Sequence, residues 1–82
     1  MSIDQQKYNV CGVLVNVNTE NFQSLLSDLT AIEGCEVIDH DNKNKIALVI
    51  EDQADKSAYD IMEQIKNHQH VLAITLINHF FE

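Results

Sequence analysis

The chain has 82 residues, 45% of them hydrophobic, with two Gly and no Pro. It fits one small, element-rich domain and excludes a disordered segment. Thirteen Asp and Glu face five Lys, giving a formal net charge of −8. Arg is absent, so the bidentate fork that grips phosphate is missing and nucleic acid is excluded as an expected partner.

The opening MSIDQQKYN lacks a basic-then-apolar layout, and no apolar run approaches the ~18 residues that span a bilayer. A soluble, cytoplasmic protein that neither enters a membrane nor carries an export leader is expected. Val10 to Val17, VCGVLVNV, is a β-branched apolar run and reads as a strand buried largely on both sides. Thr19 is the expected N-cap of a helix whose apolar positions are Phe22, Leu25, Leu26, Leu29 and Ile32. Gly34 closes it as a C′ residue. Cys35 to Asp41 forms the second strand. The turn-tolerant Asp41-Asn42-Lys43-Asn44 then returns Lys45 to Glu51 antiparallel to it. Asp55 or Ser57 caps a second helix with the inner face Ala54, Ala58, Ile61, Met62 and Ile65, and His70 to Asn78 is the last strand.

The halves repeat with an offset of 36 residues: Leu25 and Leu29 correspond to Ile61 and Ile65, and Gly34-Cys35 to His70-Val71. Two βαβ halves joined by a hairpin give an α+β, ferredoxin-like βαββαβ fold. Its four-stranded antiparallel sheet has order 4-1-3-2, with both helices on one face. One domain over residues 1–82 is expected, with its core at about 9–79.

Two helices cover only one face of such a sheet. Strand alternation assigns Cys11, Val13, Val15, Val17, Cys35, Val37, Ile46, Leu48, Ile50, Leu72, Ile74 and Leu76 to the covered face. The open face then carries Val10, Gly12, Leu14 and Asn16; Glu36, Ile38 and His40; Ala47, Val49 and Glu51; and Val71, Ala73, Thr75 and Ile77. Gly12, Ala47 and Ala73 fall on three neighbouring strands and predict a shallow apolar trough, with Glu36 and Glu51 as carboxylates at its edge. Such a surface suits an apolar or amphipathic peptide bearing positive charge. The alternatives are a face covered by a second copy of the chain, or one that tolerates water.

Cys11 and Cys35 lie in apolar sequence without the dense framework of a disulfide scaffold, so both are expected to be reduced and structural. Cys35 as a nucleophile activated by His40 is disfavoured, because alternation puts the two on opposite faces. His40, His68, His70 and His79 match no structural zinc spacing, and no Cys-x-x-Cys is present, so neither metal nor cofactor is expected. His70 stands where the first half has Gly34, so it either adopts a left-handed conformation or ends its helix differently. The strands predicted to be central lack the aromatic residues of RNA-binding sheets. Phe80 and Phe81 are expected to pack under the sheet or on its open face.

These residues resemble a family. Val10-Cys11 opening the first strand, Glu33-Gly34-Cys35-Glu36-Val37, Val49-Ile50-Glu51 and Val71-Leu72-Ala73-Ile74-Thr75-Leu76-Ile77 are similar to NapD sequences from about Val10 to His79. His70, where Gly is frequent, and Glu33, where Pro is frequent, depart from the pattern. The resemblance implies a cytoplasmic chaperone for assembly of the periplasmic nitrate reductase catalytic subunit. Such a protein binds the twin-arginine signal peptide of its client while the molybdenum cofactor is inserted, and holds back export. It implies no enzymatic activity and no cofactor of its own. A monomer or weak homodimer is expected. Two other classes use the same fold or residues: an ACT-like regulatory module binding a small metabolite, and a small enzyme working through Cys35 or the histidines.

Overall fold

The computed structural model describes residues 9–81, with the backbone alone for 79–81. Strands β1 (Asn9–Val17), β2 (Cys35–His40), β3 (Lys45–Glu51) and β4 (Val71–Phe81) form one antiparallel sheet of order β2-β3-β1-β4, the expected order read from its other edge. Helices α1 (Phe22–Thr30) and α2 (Ala58–Lys66) follow β1 and β3. β4 continues three residues past the expected end, pairing its Phe81 with Asn9.

Alternation along β1 buries Cys11, Val13, Val15 and Val17 completely and leaves Val10, Gly12, Leu14 and Asn16 half-buried. Ile46, Leu48 and Ile50 of β3 join the buried set, met by Phe22, Leu25 and Leu29 of α1 and Ala58, Ile61 and Ile65 of α2. Cutting one of these leucines to Ala removes transfer energy and leaves a cavity, at a cost of about 2–5 kcal/mol.

The helix starts differ in how they are held. Ser57 accepts from the Asp60 N–H at 3.1 Å while the Asp60 carboxylate accepts from the Ser57 N–H, a complete capping box. Asp52 adds a second tie: Oδ1 accepts from the Ala58 N–H at 2.7 Å, and Oδ2 accepts from the Asn9 backbone and side chain at 2.8 and 3.0 Å. One carboxylate thus joins the start of β1 to the positive end of α2. Thr19, expected as an N-cap, instead opens a 3₁₀ turn, Thr19–Asn21, and neither Asn18 nor Asn21 supplies a side-chain cap. Ala54, expected on the inner face of α2, is exposed and precedes the cap.

The 36-residue repeat is visible in backbone hydrogen bonds. Ile32 N–H donates to Leu29 and Cys35 N–H to Ile32 in the first half; His68 N–H donates to Ile65 and Val71 N–H to His68 in the second. Gly34 has φ +89°, and a Cβ there would come within 3 Å of Gln53 and Ile61. At the corresponding place His70 keeps a negative φ, and its N–H donates to His68 Nδ1 at 3.0 Å. The second helix therefore ends on a side-chain acceptor where the first uses a glycine.

Three bulges correct the face assignments. In β2, Val37 pairs with Leu48 but Asp39 pairs with Ala47, leaving Ile38 as the extra residue. In β4, Leu72 and Ile77 are extra, between pairs Val71/Val17 and Ala73/Asn16, and between Leu76/Val13 and Asn78/Gly12. An extra residue shifts the alternation by one and turns each bulge residue and its successor to the same side. Val71, expected on the open face, therefore faces the helices and packs on the core, while Leu72, expected inside, is 61% exposed. His40 moves from the open face to the covered one, where its ring meets Phe22 edge-on at 5.3 Å. Leu76 keeps its expected side but, on an edge strand, remains half exposed.

Candidate functional site

The helix-free face of the sheet is built in rows across the strands. Glu36, Val49, Gly12 and Asn78 form one, and Asp39, Ala47, Leu14 and Thr75 the next. Lys45, Asn16 and Ala73 lie beyond the second row, and Glu51 and Val10 beyond the first. Val10, Gly12, Leu14, Glu36, Ala47, Val49, Glu51, Ala73 and Thr75 thus share this face, and the bulge residues Ile38 and Ile77 stay on it as alternation expects. Val71 lies on the other side. The three small residues are not in one line: Ala47 is beside Leu14, Gly12 one row to one side and Ala73 one row to the other. The surface is a central Leu14 surrounded by low ground.

Asp39 is the residue that strict alternation misses. The Ile38 bulge places it opposite Ala47 on the open face, and its Oδ1 accepts only the local His40 N–H at 2.8 Å among the hydrogen bonds described. A depression of about 190 Å³ opens here, lined by Leu14, Ala47, Asp39, His40, Asp41 and Lys45. The Asp41 Oδ1 accepts from the N–H groups of Lys43, Asn44 and Lys45, each at 2.9 Å, which closes the hairpin turn with Asn42 at φ 56°. Those bonds, that of Lys45 foremost, hold the Asp41 carboxyl below the ordinary carboxylate range. In the neighbouring row Asn16 Oδ1 is buried with no hydrogen-bond partner among the described residues. A buried acceptor left open costs about 1–3 kcal/mol until a donor reaches it.

Two larger hollows lie elsewhere. One of about 270 Å³ sits between the end of α1 and the start of α2, lined largely by polar side chains such as Glu33, Gln53, Lys56 and Gln64. The other, about 380 Å³, runs between α2 and β4 over Tyr59, Met62, Ile74 and Leu76. Its charged residues, Glu63 and Lys66, stand 3.8 Å apart and offset one another, so it has no sign of its own. The open face differs, with Glu36, Asp39 and Glu51 against Lys45.

Burial raises the Cys35 thiol to about 11, the opposite of nucleophile activation, and burial with the Asp52 charge raises that of Cys11. Cys35 and His40 share the helix side after all. Five residues of strand still separate them by roughly 16 Å, beyond hydrogen-bond reach. Among the described residues no three His, Cys, Asp or Glu side chains gather as a metal site, and no helix is long and apolar enough to cross a membrane. The side chains of His79, Phe80 and Phe81 lie outside the described residues, and with them the expected packing of the two phenylalanines.

Residues 8–82 match the family described as NapD protein. The curated relatives named Chaperone NapD from Escherichia coli K12 and from Shigella flexneri are each 27% identical over 73 residues, covering 88% of this chain and 84% of the relative. The solution structure of the E. coli Tat proofreading chaperone protein NapD superposes with a TM-score of 0.78 at 28% identity, over 92% of this chain and 80% of that one.

Proposed function

Since this chain belongs to the NapD family, we propose that it is a cytoplasmic, non-catalytic chaperone folded as one signal-peptide-binding domain. Its ligand is the twin-arginine signal peptide of the periplasmic nitrate reductase catalytic subunit, and binding holds back export until the molybdenum cofactor has been inserted. The observation that carries the reading is the sheet face without helices, apolar at Val10, Leu14 and Val49, low at Gly12, Ala47 and Ala73, and edged by carboxylates. An arginine-bearing apolar peptide matches both parts: its apolar side chains bury against the floor and its guanidinium groups meet Glu36, Asp39 or Glu51. Ile38, Thr75 and Ile77 border the same surface. The name of the E. coli relative, a Tat proofreading chaperone, supports the same class of ligand. The protein acts as a monomer or weak homodimer, because a second copy laid on this face would bring like charges together.

Bulk on the low ground tests the reading. Gly12 needs no left-handed backbone, and a Cβ there meets only ordinary contacts with Asn78 at 3.7 Å. Gly12→Leu and Ala73→Phe are expected to keep the circular dichroism and unfolding midpoint near those of the parent while weakening binding of the synthetic signal peptide. Folded variants with unchanged affinity would place the peptide elsewhere.

A further inference from the structure

The open face is not symmetric about its centre. Its β2 edge carries Glu36 and Asp39, whereas the described part of β4 has no charged residue and presents Leu72 and Ile77, 61% and 59% exposed. Bulges do much of this. The one at Ile38 turns the Asp39 carboxylate onto the face, and the one at Leu72 turns out a large apolar side chain, while Ile77 faces outward as ordinary alternation from Leu76 places it. We propose that a bound peptide lies across the strands in one polarity, its positively charged end held by Asp39 on β2 and its apolar stretch running toward Leu72 and Ile77 on β4.

This rests on the peptide-binding reading above and adds the direction and the residue that sets it. The floor beside Asp39 is apolar, so the methylenes of an arginine lie over Leu14 and Ala47 while its head reaches the Asp39 and Asp41 carboxylates. Lys45 lines the same depression and opposes the ligand, leaving the corner net negative. The dimensions agree: three inter-strand steps of about 4.8 Å make roughly 14 Å from β2 to β4, the length of about ten helical residues. A short apolar helix beginning at the arginines therefore reaches the far edge.

The test uses the full chain, ¹⁵N-labelled, and a synthetic twin-arginine signal peptide carrying a nitroxide either just before the arginines or at the end of the apolar stretch. The first label is expected to broaden the amide signals of Glu36 and Asp39, and the second those of Leu72 and Ile77. The reverse pattern, or equal broadening at both edges, overturns the polarity while leaving the peptide on the face. Peptide shifts confined to α1 and α2, or no binding, overturn the underlying reading and the polarity with it. Two variants separate charge from structure. Asp39→Asn keeps the acceptor for the His40 N–H and is expected to weaken binding up to about fivefold, the scale of one exposed ion pair, whereas Lys45→Gln tightens it. If both leave affinity unchanged, Asp39 does not hold the cation.

Discussion

His68 joins the C-terminal ends of the two helical units. Its Nε2 lies 2.8 Å from Asp28 Oδ2 on α1, while Nδ1 accepts the His70 N–H at 3.0 Å. The second bond fixes the neutral tautomer, since an Nδ1 that accepts carries no proton and Nε2–H then donates to Asp28. The two halves of the repeat, 40 residues apart at this contact, are stitched by one ring.

A double-mutant cycle measures that stitch. Asp28 is half exposed, so Asp28→Asn alone is expected to cost up to about 1 kcal/mol. His68→Ala, which also strands the His70 N–H, should cost about 1–2 kcal/mol. Urea unfolding of both single variants and the double is expected to show a coupling of about 0.5 kcal/mol or more. Strict additivity would mean the ring packs without pairing.

Thiol titration distinguishes a structural Cys35 from a reactive one. A thiol with an ordinary unfolded value of about 8.5 that is raised to about 11 by burial stabilises the fold below pH 8.5. That contribution is lost as pH climbs through 11. Labelling by Ellman's reagent at pH 8 is expected to be slow, with an alkaline fall in stability between those values that is reduced in Cys35→Ala. Rapid labelling at pH 7 in the folded state would contradict this.

The two residues at the start of β4 give opposite expectations. Val71→Asp sets a charge against the core and is expected to destabilise by roughly 1–3 kcal/mol, whereas Leu72→Asp, pointing to water, should stay within about 0.5 kcal/mol. Unfolding midpoints decide. The reverse ranking would mean that the bulge is misplaced.

This pair also shows how far the sequence reaches. The fold is legible because β1 and β3 alternate without interruption and the helical positions Leu25, Leu29, Ile61 and Ile65 repeat at one spacing. The bulges are legible only where a polar residue betrays them. Unbroken alternation from Val37 would have driven Asp39 into the core, and from Leu76 it would have driven in Asn78; both conflicts signal a skipped residue. Val71 and Leu72 carry no such mark, because two adjacent apolar side chains satisfy either register. The helix caps divide in the same way. Ser57 with Asp60 three residues on is a sequence pattern, while the His68 acceptor that replaces a second glycine depends on a ring orientation that only the folded turn supplies.

Isothermal titration of the protein with a synthetic twin-arginine signal peptide asks whether the protein binds such a peptide and whether the arginines contribute. It would be run at about 20 and about 200 mM salt, beside a control peptide with both arginines replaced by Gln. Saturable binding that weakens with added salt and in the control is expected. No binding of the parent peptide at either salt would contradict it.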